Sequence, residues 1–389
     1  MLQWQYQGQD HQAAWRSESG VPAPRRVVIA DDTTPADTAY RLACEGTALL
    51  WMGDFQNARH LIDALKRRLD KPARKHSAKA RKQRSADSAP LSPAQAFHQH
   101  RLSQSQRARV LSSVVVLLQP DYSMTLRRAP DWREACTQAW GAPDAQTGVQ
   151  AVTLRELLGV VGAHEWRKKG VDMPLLGKGA RIHPHYGVFS PVRGEYVAMV
   201  HEAPLAFGMR DLAFDIGTGT GVLAALLAKR GVKRVVATDT SARALACAQD
   251  NMQRLGVSDK VELLNTSLFP EGQAALIVCN PPWVPARAVN ALEQAVYDEN
   301  SAMLRGFLDG LRAHLLLEGE GWLILSDLAE HLGLRSREEL LGWIDAAGLY
   351  VVYRMDTAPT HAKVQDSSDA LHAARAAEVT SLWRLKAKA

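Results

Sequence analysis

The 389-residue sequence predicts an α/β protein whose C-terminal domain is built on a parallel sheet covered on both faces, behind a mainly helical α+β N-terminal domain. Three observations carry that expectation. After residue 170, near-continuous apolar runs of strand length alternate with helical segments, the pattern of strands buried on both faces. Before residue 170, helical patterning prevails and a single apolar run reads as a strand. Glycines crowd the turn after the first C-terminal strand, and two prolines end the fourth.

With 46% hydrophobic residues the chain is long enough for two cores, and the boundary is expected near residue 170, giving domains 1–170 and 171–389. In the first, Asp54 can cap a helix from about Phe55 to Leu69, and Pro93 to Arg109 reads as a second helix. Ser113 to Leu118 reads as a strand and Asp131 to Trp140 as a helix. Thr153 and Glu156 stand at capping-box spacing, opening a helix to about His164. Residues 66–84 carry ten Lys or Arg against the single Asp70, and a polar, proline-containing stretch follows. Such a composition builds no core, so 66–92 is expected to be a mobile basic loop, suited either to RNA phosphates or to plain solvation.

The second domain reads as strand Leu212 to Ile216, helix Val222 to Arg230, strand Arg234 to Thr238 and helix Ala242 to Leu255. Strands Val261 to Asn265 and Ala275 to Cys279 follow, then helix Ala302 to Leu316 and strand Trp322 to Ser326. Ser336 and Glu339 form a second capping box, Gly348 is placed to stop that helix, and apolar runs at Leu349 to Arg354 and Ser381 to Leu385 close the pattern. In a parallel sheet of this kind, ligands bind beyond the carboxyl ends of the strands near the switch point.

Composition excludes several classes. No apolar run approaches the roughly 18 residues of a membrane helix, and the N-terminus has neither a basic start nor an apolar signal core, so a cytoplasmic protein with no membrane partner is expected. Cys44, Cys136, Cys247 and Cys279 stand singly, which suits a reducing compartment and argues against disulfides or a structural zinc site. His183-Pro-His185 lacks a third ligand at matching spacing, so no metal is expected.

Two stretches carry chemistry. In FDIGTGTG, residues 214–221, Gly217, Gly219 and Gly221 let the backbone turn sharply and approach a ligand beside a helix N-terminus. The nicotinamide fingerprint would place its third glycine at 222, which is Val222; the spacing here is Gly-x-Gly-x-Gly. Asp239 ends the second strand 22 residues after Gly217, where a carboxylate can accept both ribose hydroxyls of an adenosine. In CNPPWVP, residues 279–285, the prolines end a strand because neither can donate to the ladder.

Together FDIGTGTG, ATD and CNPPW resemble the class I S-adenosylmethionine-dependent methyltransferases, in the subgroup whose Asn-Pro-Pro-aromatic motif serves methylation of planar nitrogens. The likeness covers about residues 185–330 and implies a Rossmann-like seven-stranded sheet with S-adenosylmethionine as cofactor. Carried over residue by residue, it implies cofactor contacts from Asp215, Gly217, Thr218, Gly219, Gly221, Asp239, Thr240, Ser267 and Asn280. GVFSPVRGEYVAM, residues 187–199, resembles the segment lying over the cofactor and adds Phe189, with Arg193 as a further shaping residue. Relatives commonly carry an acidic residue after the third strand to bind the adenine amine; Ser267 stands there instead, and Asn265 or a backbone group is an alternative.

The same likeness implies that Asn280, Pro281, Pro282 and Trp283 are catalytic. An exocyclic amine or amide nitrogen has its lone pair delocalised and is a poor nucleophile. If the Asn280 side-chain oxygen and the Pro281 carbonyl accept its hydrogens, the nitrogen is oriented and gains nucleophilic character, while the prolines hold both acceptors in place. Trp283 offers a stacking face, worth about 1–3 kcal/mol for a base. The basic run and the net charge of +6 put a base in ribosomal or other structured RNA first among substrates. A protein glutamine, as in release-factor methyltransferases, comes second, and a non-catalytic RNA-binding protein on a methyltransferase fold third.

Overall fold

The computed structural model describes residues 1–70, 91–359 and 369–389, in two compact units, 1–164 and 165–389. Most of the expected basic loop, residues 71–90, lies outside the described residues; at its N-terminal edge, Lys66, Arg67 and Arg68 belong to helix Phe55–Asp70.

The first unit has more sheet than the sequence reading anticipates. Its strands are β1 (Leu2–Tyr6), β2 (Gln9–Trp15), β3 (Val27–Ala30), β4 (Ala48–Trp51), β5 (Val114–Leu118) and β6 (Gln150–Thr153), in the order β1-β2-β6-β5-β4-β3. Of the strands missed, β3, β4 and β6 have four residues each, over which alternation cannot show, and β1 and β2 form an edge hairpin rich in polar residues. β3, β4 and β5 run parallel, and helix Ala36–Cys44 crosses over between β3 and β4. Thr153 caps helix Leu154–Lys169 by accepting from the Glu156 amide at 3.1 Å, but the reciprocal half of the box is redirected: the Glu156 carboxylate accepts from the Glu18 amide at 3.0 Å.

The second unit carries the seven-stranded sheet that the sequence implies. After two short strands, β7 (Val171–Asp172) and β8 (Arg181–Ile182), come β9 (Leu212–Ile216), β10 (Arg234–Asp239), β11 (Val261–Asn265), β12 (Ala274–Cys279), β13 (Leu315–Ser326), β14 (Leu349–Thr357) and β15 (Thr380–Ala387). Their order is β11-β10-β9-β12-β13-β15-β14, with β15 alone reversed against its neighbours. Side chains alternate between two cores: Ala213, Val235, Ala237, Leu276, Val278, Trp322 and Ile324 face one, and Phe214, Ile216, Val236, Ile277, Leu323 and Leu325 face the other. Helix Val222–Lys229 is buried from Val222 through Ala228, which is why its sequence, VLAALLAK, has almost no polar face. Ser336 and Glu339 exchange hydrogen bonds of 3.1 and 2.7 Å, completing the second capping box.

Candidate active site

β9 sits between β10 and β12, and the chain passes from β9 to β10 on one side but reaches β12 on the other only after β11. This is the switch point at which the carboxyl ends of neighbouring strands diverge and leave a crevice. Register decides what lines it. Cys279 lies opposite Ile216, so Asn280 and Gly217 leave the sheet side by side, while Thr238 opposite Ile216 delivers Asp239 on the other flank.

The glycine turn is held from beneath. Gly217, Gly219 and Gly221 have φ of 72°, 55° and 81°, the left-handed region that side chains resist. A Cβ on Gly221 would lie 2.6 Å from Met252 Cε, and one on Gly217 2.5 Å from Met303 Cε; one on Gly219 would meet nothing within 4 Å. The amides of Gly217 and Thr218 donate to the Thr238 carbonyl at 2.9 Å each, and Gly221 donates to Thr218. Gly219 donates to Asp239 Oδ2 at 3.0 Å. The three glycines therefore supply shape, and their donors are engaged within the fold. Asp215 and Thr218 are buried under the turn, where Asp215 Oδ2 accepts from the Thr218 hydroxyl at 2.6 Å and the Ala224 amide at 3.1 Å. Burial pushes the Asp215 carboxyl up to about 6.

Asp239 faces the crevice. Its Oδ1 accepts from the Ser241 amide at 2.9 Å and its Oδ2 from Gly219, so each oxygen keeps acceptor capacity and the carboxylate is oriented. Thr240 beside it is exposed, and Ser267 is exposed beyond the end of β11. Asn265 reaches toward β10, donating to the Thr240 carbonyl at 3.4 Å.

Beyond β12, Pro281 is buried and Pro282 half-buried. Trp283 packs against both cores, and its Nε1–H donates to Asn280 Oδ1 at 2.9 Å. Pro282 and Met303 line a cavity of about 410 Å³ together with Arg287, Gln294, Tyr297 and Asp298. The turn that joins the lining residues Glu299 and Ala302 is strained: Asn300 and Ser301, between them, have φ of 59° and 53°. Asp298 holds that turn by accepting from the amides of Met303 and Leu304 at 3.0 and 3.1 Å. Neither Met303 nor Asp298 carries a local motif, so sequence reasoning did not find them.

The segment preceding the glycine turn is tied to helix Ala242–Leu255. The His183 amide donates to Asn251 Oδ1 at 2.8 Å, and His185 Nε2 lies 3.1 Å from Asp250 Oδ2. Burial alone would raise the Asp250 carboxyl, but hydrogen bonds from His185, Arg254 and Arg167 hold it down at about 2. These histidines fasten a loop. Phe189, further along it, is 40% exposed, while Arg193 places its guanidinium 5.6 Å from the Trp283 ring centroid.

With this geometry in place, comparison with known proteins shows what the part of the chain that carries the site is similar to. Residues 180–307 match the family model of the methyltransferase small domain. The match contains every residue that the sequence assigns to the site, from Phe189 to Trp283. Curated relatives of this methyltransferase domain include a release factor glutamine methyltransferase of Thermosynechococcus vestitus, 30% identical over 46% of this chain and 63% of its own length. A ribosomal protein uL3 glutamine methyltransferase of Bordetella pertussis is 36% identical over 34% and 47% respectively. A solved methyltransferase from Pyrococcus furiosus aligns over 58% of this chain and 98% of its own, at 19% identity and a TM-score of 0.40. The chain spans less than two thirds of the length of each of these curated relatives. Both are named for protein glutamine, so the RNA base that sequence reasoning puts first finds no support in them and its alternative does. No helix among the described residues is long and apolar enough to cross a membrane.

Proposed function

We propose that the protein is an S-adenosylmethionine-dependent N-methyltransferase acting on the side-chain carboxamide of a protein glutamine. The observation that carries this reading is the β9–β12 register, which brings the glycine turn and the Asn-Pro-Pro-Trp motif out of the sheet as neighbours. The residues fit the cofactor: Asp239 offers an oriented carboxylate for ribose hydroxyls, and the space in front of Gly219 is one that any Cβ would enter. Asp215 and Thr218 support the turn from below. Bound S-adenosylmethionine supplies an electrophilic sulfonium methyl group.

Asn280 Oδ1 and the Pro281 carbonyl accept the two N–H groups of the glutamine amide, aim its nitrogen and increase its nucleophilicity. The prolines remove the backbone freedom that would otherwise be lost on binding. The half-buried Trp283 lies against the planar amide, and the adjoining cavity by Pro282 receives flanking peptide. The nitrogen would form a bond to the methyl carbon as the carbon–sulfur bond breaks to leave a neutral thioether, and would release a proton to solvent. The relatives named for glutamine substrates favour a protein over a base.

The test is transfer of labelled methyl into an extract from cells lacking this protein, followed by separation of protein from RNA. Label is expected in protein, as N-methylglutamine, and Asn280→Ala should reduce the rate about 10²–10³-fold while leaving cofactor affinity within a few fold. Label in RNA would replace glutamine with a base as substrate. Absence of label despite measurable cofactor binding would overturn the enzymatic reading.

A further inference from the structure

Glu378, Arg193, Trp283 and Asn280, from three separate parts of the sequence, form one connected chain at the carboxyl end of the sheet. Glu378, in the turn before β15, is 1% exposed, and its Oε1 accepts from the Ser326 hydroxyl at 2.8 Å and from Arg193 Nη1 at 3.0 Å. Ser326 ends β13, which neighbours β12, so the carboxylate is fixed against the strand next to the one bearing the motif. Arg193 holds its guanidinium over the Trp283 ring at 5.6 Å, and the Trp283 N–H reaches Asn280 Oδ1 at 2.9 Å.

An indole N–H can only donate, so the Asn280 atom that faces it must be the oxygen. The contact therefore selects which way the carboxamide points. One lone pair of that oxygen accepts from Trp283 and the other remains. Without the indole, the amide could turn its NH₂ toward the crevice and present a donor where an acceptor is needed. A buried carboxylate needs a compensating partner, and the guanidinium that meets this need is the one placed over the indole.

We infer that Glu378 and Arg193 are positioning residues for methyl transfer, bracing Trp283 so that its indole N–H holds the Asn280 oxygen toward the substrate nitrogen. The inference rests on the proposed transferase reading and adds two residues to it, one of them outside the matched domain. Arg193 acts here on the motif rather than on the cofactor, and Glu378 acts through Arg193.

Two measurements on the full-length protein test it. The first is independent of substrate: the indole ¹H–¹⁵N resonance of Trp283, assigned by its loss in Trp283→Phe. Glu378→Gln should shift that resonance, and so should Arg193→Met, which keeps the carboxylate and covers the case in which Glu378→Gln does not fold. An unmoved resonance in a folded variant overturns the brace. The second is kinetic. Glu378→Gln should lower kcat about tenfold to a hundredfold with KM for the protein substrate and cofactor affinity little changed. In a Trp283→Phe background the same substitution should change kcat by less than about twofold. Fully additive losses would mean that Glu378 acts elsewhere and would overturn the inference. A wild-type protein that methylates no protein defeats the functional reading by itself, while the indole resonance still decides whether the brace exists.

Discussion

The two units place parallel strands, a sharp turn and a helix in the same sequence, and they differ in what stands at the carboxyl ends of those strands. In the first unit, Asp32 follows β3 and Asp54 follows β4. The Asp54 side chain is fully buried and accepts from the Gln56 amide at 2.9 Å, Arg127 Nε at 3.0 Å and Arg128 at 2.7 and 2.8 Å. Asp32 accepts from the Asp54 amide and from Asn57, and a Cβ on Gly53 would lie 2.5 Å from the Asp32 carboxylate. In the second unit, Asp239 accepts from two backbone amides, stays half-buried, and stands beside a Gly219 that faces open space. The strand ends of one unit are covered by arginine–carboxylate pairing, and those of the other leave open space before Gly219. Parallel α/β architecture alone therefore does not make a cofactor site; what stands at the strand ends does.

The largest effect that this contrast predicts is on cofactor affinity. Asp239→Ala removes an oriented acceptor and should weaken S-adenosylmethionine binding by about tenfold to a hundredfold, the worth of a hydrogen bond to a charged group. Asp54→Asn should leave that affinity unchanged while lowering the melting temperature. Equal losses of affinity from both, measured by calorimetric titration, would break the comparison.

A second effect, in stability, has opposite signs in the two units. Burial raises the folded Asp215 carboxyl to about 6 from 3.8, so between those values the folded state holds a proton that the unfolded chain has released. Stability falls as pH rises through that window, and the penalty is complete above it. Asp215→Asn should remove the slope and gain, relative to the natural protein, about 1–3 kcal/mol between pH 4 and 7. Asp54 behaves in the reverse sense: the Arg128 hydrogen bonds lead in holding its carboxyl down to about 2, against 3.8 unfolded. It stabilises above 3.8 and that contribution is lost as pH falls toward 2, so the deficit of Asp54→Asn should shrink with acidification. Denaturant melts across pH 2 to 7 read both signs at once.

How much of this was legible in advance differs between the units for a physical reason. β9 and helix Ala242–Leu255 fall where the sequence places them, since a strand buried on both faces leaves an unbroken apolar signal, and the edge strand β11 falls there too although only Val261 in it is buried. In the first unit, β3, β4 and β6 are four residues each, too short for periodicity, and β1 and β2 form a hairpin at the sheet edge with polar residues on much of its surface. Within the site, the glycine turn and the Asn-Pro-Pro-Trp motif were legible because each needs special backbone chemistry at consecutive positions. Met303, Asp298 and Glu378 were not, because each reaches the site only through tertiary packing. The close backbone approach that the sequence suggests for these glycines is a matter of shape, since the amides of Gly217, Gly219 and Gly221 are satisfied by Thr238, Asp239 and Thr218.

That satisfaction of the glycine amides yields the most discriminating prediction. If Gly219 contributes shape alone, Gly219→Ala keeps its amide and its bond to Asp239, and the cost to folding is only that of a side chain at φ 55°, about 1–2 kcal/mol. The added methyl meets no protein atom within 4 Å and extends into the space that the cofactor would fill, so affinity should fall further than stability does. Gly53→Ala is the counterpart with the opposite split: its φ is unexceptional, but its methyl would drive into the Asp32 carboxylate and backbone at 2.5 and 2.8 Å, so stability should fall while affinity holds. Should Gly219→Ala bind S-adenosylmethionine as tightly as the natural protein, the open space before the turn is not where the cofactor lies, and the distinction between open and covered strand ends loses its functional meaning.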